Sequence, residues 1–360
     1  MKVALIIDMI RYGGANQFIP KLIKKLKARN HEPLLVSNKN LDINPFLYLP
    51  FSKKKSAISR VIGSVKSRYI ANKKLKENNL DLAFFMSPIS TLSLYPILED
   101  IPTIYSPRFA TFSDWDLIES NPLRKKIKKF VETRPLKKKY NKIIALSQEM
   151  EKKFRKNGAL TSIEVIPIGI DTKKFKPKTI NTEIKNIGFA ADFSKLKGFP
   201  YFMKAIEKLL KNNDELKVLL VGDKKKNYLK KGYPEKERIE FLGRLAHEEM
   251  PRFYKRCDIL VYPSLTESFG RTVLESLATG TPVIATNVGE VGEVIVNEKT
   301  GYIVPKKNPK QIRKKINTLI ENPKKYKSMA VNGPKLIRKN YNQQKNLEKL
   351  VDKIEETANA

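Results

Sequence analysis

Short apolar runs alternate with amphipathic stretches along most of the chain. In the second half, apolar runs with the length of a buried parallel strand recur, and segments of helical period separate most of them. These runs fall at 186–191, 216–221, 239–242, 259–262, 283–286 and 302–304. The alternation predicts a parallel, doubly wound α/β domain.

The first half repeats this alternation of apolar runs and polar or amphipathic segments. Its predicted strands fall at 2–8, 32–37, 82–86, 103–105, 142–147 and 162–167. Pro167, Gly169 and Pro177 then interrupt the pattern within VIPIGIDTKKFKP, which indicates a domain boundary. We therefore expect one domain over 1–170 and a second over 178–340, a division typical of a 360-residue chain.

One predicted strand-to-helix junction carries candidate chemistry. The strand at 259–262 leads into a helix that Gly270 opens and that ends near Ala278. In open α/β sheets ligands bind at such junctions, and the first amides of the helix suit a phosphate or a diphosphate. Glu267 before the helix and Glu275 about one turn into it suit hydrogen bonds from sugar hydroxyls. Together these groups point to a nucleotide-sugar site.

The sequence around this junction resembles a known family. Seven residues separate Glu267 from Glu275 within SLTESFGRTVLESLATGTPVIATNVGEVGEVIVNEKTGYIV. This segment is similar to the donor-site signature of the retaining GT-B glycosyltransferases of family 4 (glycosyl transferases group 1). The alternative is a surface helix with two incidental acids. The resemblance implies two Rossmann-like doubly wound domains facing across a cleft, with the first domain on the acceptor side and a last helix, 341–357, crossing back to it.

The same resemblance implies roles for individual residues. Glu267 would contact the donor sugar and Glu275 the ribose hydroxyls, while Lys197 and the amino end of the helix would stabilise the departing nucleoside diphosphate. Glu267 and Lys197 are thus the expected catalytic residues, and no metal is implied. The expected donor-binding residues are Gly13, Gly14, Lys195, Lys197, Glu267, Ser268, Phe269, Gly270, Arg271, Thr272 and Glu275.

The Gly13-Gly14 pair follows the first predicted strand, where the family has a glycine turn that lets backbone approach a ligand. A simple tight turn is the alternative. After the strand at 186–191 the family carries a Gly-Arg…Lys-Gly pattern. Here Lys197-Gly198 matches it, but Asp192 stands where an arginine is expected, and an aspartate repels a diphosphate. Lys195 is a candidate for the missing charge.

The family's first-domain histidine is also replaced. Near the equivalent position, after the strand at 103–105, stands Arg108. We expect Arg108 to contact a donor or acceptor phosphate, and Asp114 and Asp116 to orient an acceptor hydroxyl. The chain's two histidines, His31 and His247, are interpreted as surface or capping residues.

Composition narrows the location of the protein. The chain is 41% hydrophobic, enough for substantial cores, yet no apolar run approaches the roughly 20 residues that cross a bilayer. The single cysteine, Cys257, is interpreted as a packing residue. No His, Asp or Cys cluster has metal-ligand spacing. These features favour a cytoplasmic protein with no metal and no cofactor beyond its substrate.

The net charge is +34, and both halves of the chain are basic. Residues 121–142 hold ten Lys or Arg and one acid, and Ile127, Phe130 and Val131 predict an apolar stripe on a basic helix. Such a helix can lie on anionic lipid at the inner face of the cell membrane, or be the solvated outer helix of a domain. A lysine-rich proteome explains the charge equally well. RNA binding has no recognisable module to support it.

These observations lead to one main hypothesis. The protein is expected to be a metal-independent, hexosyltransferase-type enzyme of surface polysaccharide, lipid-linked oligosaccharide or glycolipid synthesis, with a UDP- or GDP-sugar donor. The alternatives are a non-catalytic nucleotide-sugar-binding protein on the same scaffold and a basic nucleic-acid-binding protein.

Overall fold

A computed structural model describes residues 1–7, 14–37, 45–48, 68–108, 120–223, 236–267 and 269–360. The chain divides into two compact units. The first contains residues 1–168 and 344–360, and the second contains residues 169–343. Residues 169 and 170, expected in the first domain, and residues 171–177, expected between the domains, therefore belong to the second unit.

The first unit is built on a seven-stranded sheet in the order β3-β2-β1-β4-β5-β6-β7, and all of its pairings are parallel. The strands are β1 Lys2–Ile7, β2 Glu32–Ser37, β3 Leu47–Tyr48, β4 Leu82–Phe85, β5 Thr103–Tyr105, β6 Lys142–Ala145 and β7 Ile163–Val165. Because helices cover both faces of a parallel sheet, its central strands are buried throughout, as β4 is.

The helices of the first unit include the last one of the chain. They are α1 Gly14–Ala28, α2 Pro88–Leu98, α3 Pro122–Thr133, α4 Gln148–Lys156 and α11 Gln343–Ala358, and residues 68–76 are also helical. Leu350, Val351 and Ile354 of α11 belong to the same buried cluster as Val3 and Leu5 of β1. The C-terminal helix is therefore part of the core of the first unit.

The second unit has a six-stranded parallel sheet in the order β10-β9-β8-β11-β12-β13. Its strands are β8 Asn186–Ala190, β9 Lys217–Val221, β10 Ile239–Gly243, β11 Ile259–Tyr262, β12 Val283–Thr286 and β13 Gly301–Val304. Its helices are α5 Phe199–Leu210, α6 Met250–Arg256, α7 Arg271–Ala278, α8 Val291–Val294, α9 Pro309–Glu321 and α10 Pro323–Asn340. Two parallel sheets with interleaved helices confirm the predicted α/β class.

Candidate functional site

The candidate site lies where the strand order of the second sheet reverses. From β8 the chain moves outward through β9 and β10, and from β11 it moves outward the other way through β12 and β13. β8 and β11 are neighbours and parallel, so the loops that follow them leave the same edge of the sheet in diverging directions. Such a switch point forms the crevice in which doubly wound sheets bind ligands.

The two loops at the switch point are held together by backbone contacts. The amide of Leu265 donates to the carbonyl oxygen of Leu196 at 2.8 Å, and the Ser264 hydroxyl donates to the same oxygen at 3.2 Å. Gly198 has φ +73°, and a Cβ at that position would lie 1.9 Å from the carbonyl oxygen of Pro263. Only glycine permits this approach, which fixes Lys197 next to the loop that carries Glu267.

Lys197 and Glu267 form an ion pair across these loops. The Lys197 Nζ lies 2.5 Å from Glu267 Oε2, with the two side chains 28% and 15% exposed. The Tyr262 hydroxyl, at the end of β11, donates to the same oxygen. Burial first, and the Glu267 charge second, raise the pKa of Tyr262 well above its ordinary value, so it stays a neutral donor. A carboxylate and an ammonium are therefore placed together at the mouth of the crevice.

Helix α7 begins beside this pair. Gly270 precedes it with φ +76°, and a Cβ there would lie 2.6 Å from Val291 Cγ2. The amide of Val273 bonds back to the Gly270 carbonyl at 2.9 Å, which closes the first turn, and the peptide dipoles of the helix place their positive end here. The start of α7 thus supplies the positive partial charge that suits a phosphate.

Glu275 is on the same helix but is already hydrogen-bonded by the protein. It is only 5% exposed, and its Oε2 accepts from the Tyr254 hydroxyl at 2.9 Å. Burial and the Glu275 charge raise the pKa of Tyr254, in that order, which keeps the phenol protonated as a donor. The Nε2 atom of His247 lies 3.2 Å from Glu275 Oε1, and Arg271 Nη2 lies 3.7 Å from it. Three side chains therefore fix the direction of this carboxylate.

The tautomer of His247 follows from its other neighbour. The Nζ of Lys174 lies 2.7 Å from His247 Nδ1, and an ammonium group can only donate. Nδ1 is therefore the acceptor, and Nε2 carries the proton that it donates to Glu275. The interpretation of His247 as a surface or capping residue is wrong. Its side chain is only 24% exposed, and its Nε2 contacts the Glu275 carboxylate and orients it.

His31 also differs from the expectation. Its Nε2 lies 2.6 Å from Glu355 of α11, and its side chain is 11% exposed. It therefore connects the start of β2 to the C-terminal helix within the first unit.

The other residues singled out in the sequence are either exposed in the loop after β8, located in the first unit, or outside the described residues. Lys195 and Asp192 are the exposed ones. The hydrogen bond to Asp223 and the Asp223 charge, and to a lesser extent the Asp192 charge, raise the pKa of Arg244, so an arginine stands near Asp192. Gly14 is the first residue of α1, in the first unit. Gly13, Asp114, Asp116 and Ser268 lie outside the described residues.

Arg108, the other predicted phosphate contact, lies three residues after the end of β5 in the first unit. It is 6% exposed, and its guanidinium carbon lies 4.2 Å from the centre of the Phe18 ring. Cys257 is fully buried, as a packing residue should be.

The described residues lack two kinds of feature. No group of three or more His, Cys, Asp and Glu side chains there could hold a metal ion. No helix among them combines the length and the hydropathy that a bilayer crossing demands.

Sequence reasoning missed Tyr254, Tyr262 and His247. Tyr262 could have been found, since it ends a predicted strand and stands five residues before Glu267. His247 and Tyr254 are 28 and 21 residues from Glu275, and no local pattern connects them with it.

Comparisons with known proteins match both units. Residues 170–336 match the family model described as Glycosyl transferases group 1, and residues 12–174 match Glycosyltransferase Family 4. An uncharacterized glycosyltransferase of Methanocaldococcus jannaschii is 28% identical over 339 residues, which cover 91% of this chain and 90% of that relative. The lipopolysaccharide core biosynthesis mannosyltransferase LpsB of Rhizobium meliloti is 30% identical over 200 residues, 49% of this chain and 56% of LpsB.

Two solved structures share the fold over almost the whole chain. Sucrose-phosphate synthase from Thermosynechococcus elongatus has a TM-score of 0.82 at 17% identity, covering 99% of this chain and 98% of that one. HepE of Anabaena, solved in complex with UDP, has a TM-score of 0.77 at 18% identity, covering 99% and 100%.

Proposed function

The chain belongs to the GT-B glycosyltransferases of family 4, and we propose that it moves a sugar from a UDP- or GDP-sugar to a glycan, lipid-linked or glycolipid acceptor, with retention of configuration. The observation that carries this proposal is the pairing of Lys197 with Glu267, 2.5 Å apart, at the switch point of the second sheet. Next to it, α7 offers helix amides, and Glu275 offers a fixed carboxylate.

Each group has a role that its chemistry supports. Lys197 and the first amides of α7 bind the diphosphate, which is anionic and has several acceptor oxygens. Glu267 accepts hydrogen bonds from the donor sugar, and Glu275 accepts them from the ribose. Since His247 and Tyr254 already occupy one site on each Glu275 oxygen, lone pairs remain for two ribose hydroxyls.

The leaving group determines the mechanism. As the bond between the sugar and the diphosphate breaks, negative charge grows on the leaving oxygen, and Lys197 stabilises it more strongly in the transition state than in the ground state. In retention through front-face attack, the departing phosphate accepts the proton of the acceptor hydroxyl. A protein base is then not required, and Arg108 in place of the family's histidine is compatible with turnover.

The comparisons support the substrate classes. HepE binds UDP in its solved complex, and LpsB is a mannosyltransferase of lipopolysaccharide core synthesis. Because the chain is similar to these two proteins, a nucleotide-sugar donor and a surface-glycan acceptor are the first substrates to test.

The test is release of UDP or GDP from a panel of nucleotide-sugars in the presence of membrane-derived and soluble glycan acceptors. Lys197→Gln should lower kcat about 100-fold or more. Glu275→Gln should weaken nucleotide binding roughly tenfold or more, because a hydrogen bond to a charged group is lost.

The matched controls are Lys204→Gln on α5, which is exposed, and Glu215→Gln, whose side chain is 74% exposed. Turnover by Lys197→Gln equal to that of Lys204→Gln would contradict the assigned site. Nucleotide binding by calorimetry with no turnover of any donor would favour the non-catalytic alternative, which the exposed Asp192 motivates.

We also propose that α3 docks on an anionic membrane surface. Leu123, Ile127 and Phe130 lie on one face of the helix by their spacing and are 67%, 43% and 57% exposed. The helix also carries five cations, Arg124, Lys125, Lys126, Lys128 and Lys129, and its only acid, Glu132, is buried. An apolar stripe open to solvent on a basic helix is the composition that anionic lipid attracts, whereas a solvated outer helix needs no such stripe.

Co-sedimentation with vesicles tests this docking. Wild-type protein should pellet with phosphatidylglycerol-containing vesicles and not with pure phosphatidylcholine. Serine at Leu123, Ile127 and Phe130 together should abolish pelleting, while Leu160→Ser, which removes a 72% exposed leucine elsewhere in the first unit, should leave it unchanged. Equal pelleting of both variants would reject α3 as the docking surface.

Metal independence stays a prediction. Activity that survives an excess of EDTA, and is not increased by added Mg²⁺ or Mn²⁺, would support it.

A further inference from the structure

Two of the three guanidinium nitrogens of a buried arginine, Arg108, have no hydrogen-bond partner among the described residues. Arg108 follows β5 at the carboxyl edge of the sheet and is 6% exposed. In the part of the chain that the structure describes, no atom pairs with its Nε or its Nη2. The hydroxyl of Ser106, two residues earlier, is fully buried and is also unpaired there. More than nine in ten buried polar groups in proteins have partners, so two such residues close together in one segment indicate a missing ligand.

The charge of this arginine fits the same conclusion. Burial lowers the pKa of Arg108 to about 9, so the guanidinium is still charged at neutral pH. A buried cation without a partner is destabilising unless an anion binds to it. The folded chain therefore keeps an unfavourable group that an anionic ligand would satisfy.

The surroundings of Arg108 define the kind of anion. Its guanidinium carbon lies 4.2 Å from the centre of the Phe18 ring, which supports the cation. Phe18 is the fifth residue of the 15-residue helix α1, and side chains on a helix lean towards its amino end. The guanidinium is thus near the positive end of α1, where anions are favoured. A guanidinium fork, a hydroxyl and a helix start suit an anion with several oxygens more than a single carboxylate.

We propose that Arg108 and Ser106 bind a phosphate group of the sugar acceptor. The assignment rests on the proposed function: Lys197 and the start of α7 already serve the donor diphosphate, so we assign the Arg108 phosphate to the acceptor, and UDP in the test below occupies the donor site to separate the two. The shared chemistry is a phosphate ester, carried either by a soluble sugar phosphate or by a lipid headgroup.

Calorimetric titration of the full chain with inorganic phosphate tests the site while UDP occupies the donor site. Wild-type protein should bind phosphate, and Arg108→Met should weaken that binding about tenfold or more, because the fork is lost while the stem still packs on Phe18. The matched control is Arg155→Met on α4, whose side chain is 56% exposed and which should bind phosphate as wild type does. Equal phosphate affinity of Arg108→Met and wild type, or no phosphate binding by wild type, would overturn the proposal.

A thermal melt without phosphate keeps the test independent of folding defects. Arg108→Met should melt at the wild-type temperature or above it, because it removes an unpaired buried charge. A melting temperature well below that of wild type would mean that the guanidinium is already satisfied by the protein, and the proposal would fail. UDP affinity, measured first, reports on the proposed function separately.

Two further arms identify the source of the phosphate. Glycerol 3-phosphate in solution and phosphatidate in phosphatidylcholine vesicles are each compared between wild type and Arg108→Met. Dependence on Arg108 in the first arm assigns a soluble phosphate ester, and dependence in the second arm alone assigns a lipid headgroup. Dependence in neither arm contradicts the proposal.

Discussion

Replacement of Gly198 by alanine tests whether the loop that carries Lys197 is held by the loop that carries Glu267. Gly198 has φ +73°, and an added Cβ would meet the carbonyl oxygen of Pro263 at 1.9 Å. Gly243, at the end of β10, has φ +70°, but a Cβ there would meet nothing within 4 Å. The two alanine variants therefore share the same backbone strain and differ in the steric overlap.

The expected magnitudes follow from these geometries. A left-handed backbone costs an L-residue about 1–2 kcal/mol, which both variants should lose. Gly198→Ala must in addition move a backbone oxygen by more than roughly 1 Å to restore a normal contact, and such overpacking costs about 1–3 kcal/mol more. Since the two loops that must move apart carry Lys197 and Glu267, UDP affinity should fall in this variant alone.

Urea unfolding followed by circular dichroism measures the difference. The transition that shifts when UDP is added reports the second unit, and its midpoint gives the change in the free energy of unfolding. Gly198→Ala should be less stable than Gly243→Ala by about 1–3 kcal/mol. Two variants with the same stability to within about 0.5 kcal/mol, and with equal UDP affinity, would refute the idea that this contact fixes the site.

Three other predictions concern single groups. His247→Ala should weaken UDP binding about tenfold in calorimetry without lowering the melting temperature, because one hydrogen bond to Glu275 is lost; unchanged affinity would contradict its positioning role. Cys257 should react with a thiol reagent only in denaturant, since it is fully buried and burial raises the pKa of its thiol; fast reaction of the native protein would contradict this. A hydrogen bond from Lys25 holds the pKa of Glu348 below 4.5, so this pair stabilises α11 above that pH and the stabilisation is lost as the pH falls through the lowered pKa. The difference in the free energy of unfolding between wild type and Lys25→Gln, measured across an acid titration, should therefore be largest near neutral pH and shrink below about pH 4. A difference that does not change with pH would refute this account.

The strands of the second unit could be predicted almost to the residue. The runs at 259–262 and 283–286 became β11 and β12 with the same bounds, because buried parallel strands are continuous apolar segments between turns. Helix α2, Pro88–Leu98, was not predicted. It buries Ser90, Thr91 and Ser93 and contains Pro96, so it has no apolar stripe of helical period.

The candidate site was predictable where it is local in sequence. Glu267 and Glu275 flank one strand-to-helix junction, and the strand alternation identifies that junction as a sheet edge. The contact of Lys197 with Glu267 required only that two predicted strands be neighbours. By contrast, Tyr254 reaches Glu275 because α6 packs against α7, and that packing depends on side-chain shapes that no spacing rule encodes.

The position of α11 in the core of the first unit has a consequence for biosynthesis. The ribosome makes β1 well before α11, yet Leu350, Val351 and Ile354 of α11 belong to the same apolar cluster as Val3 and Leu5. The first unit therefore cannot complete its core until α11 has been synthesised. Until then its nascent sheet exposes the apolar surface that α11 covers, and exposed surface of this kind is prone to aggregation and to binding by chaperones.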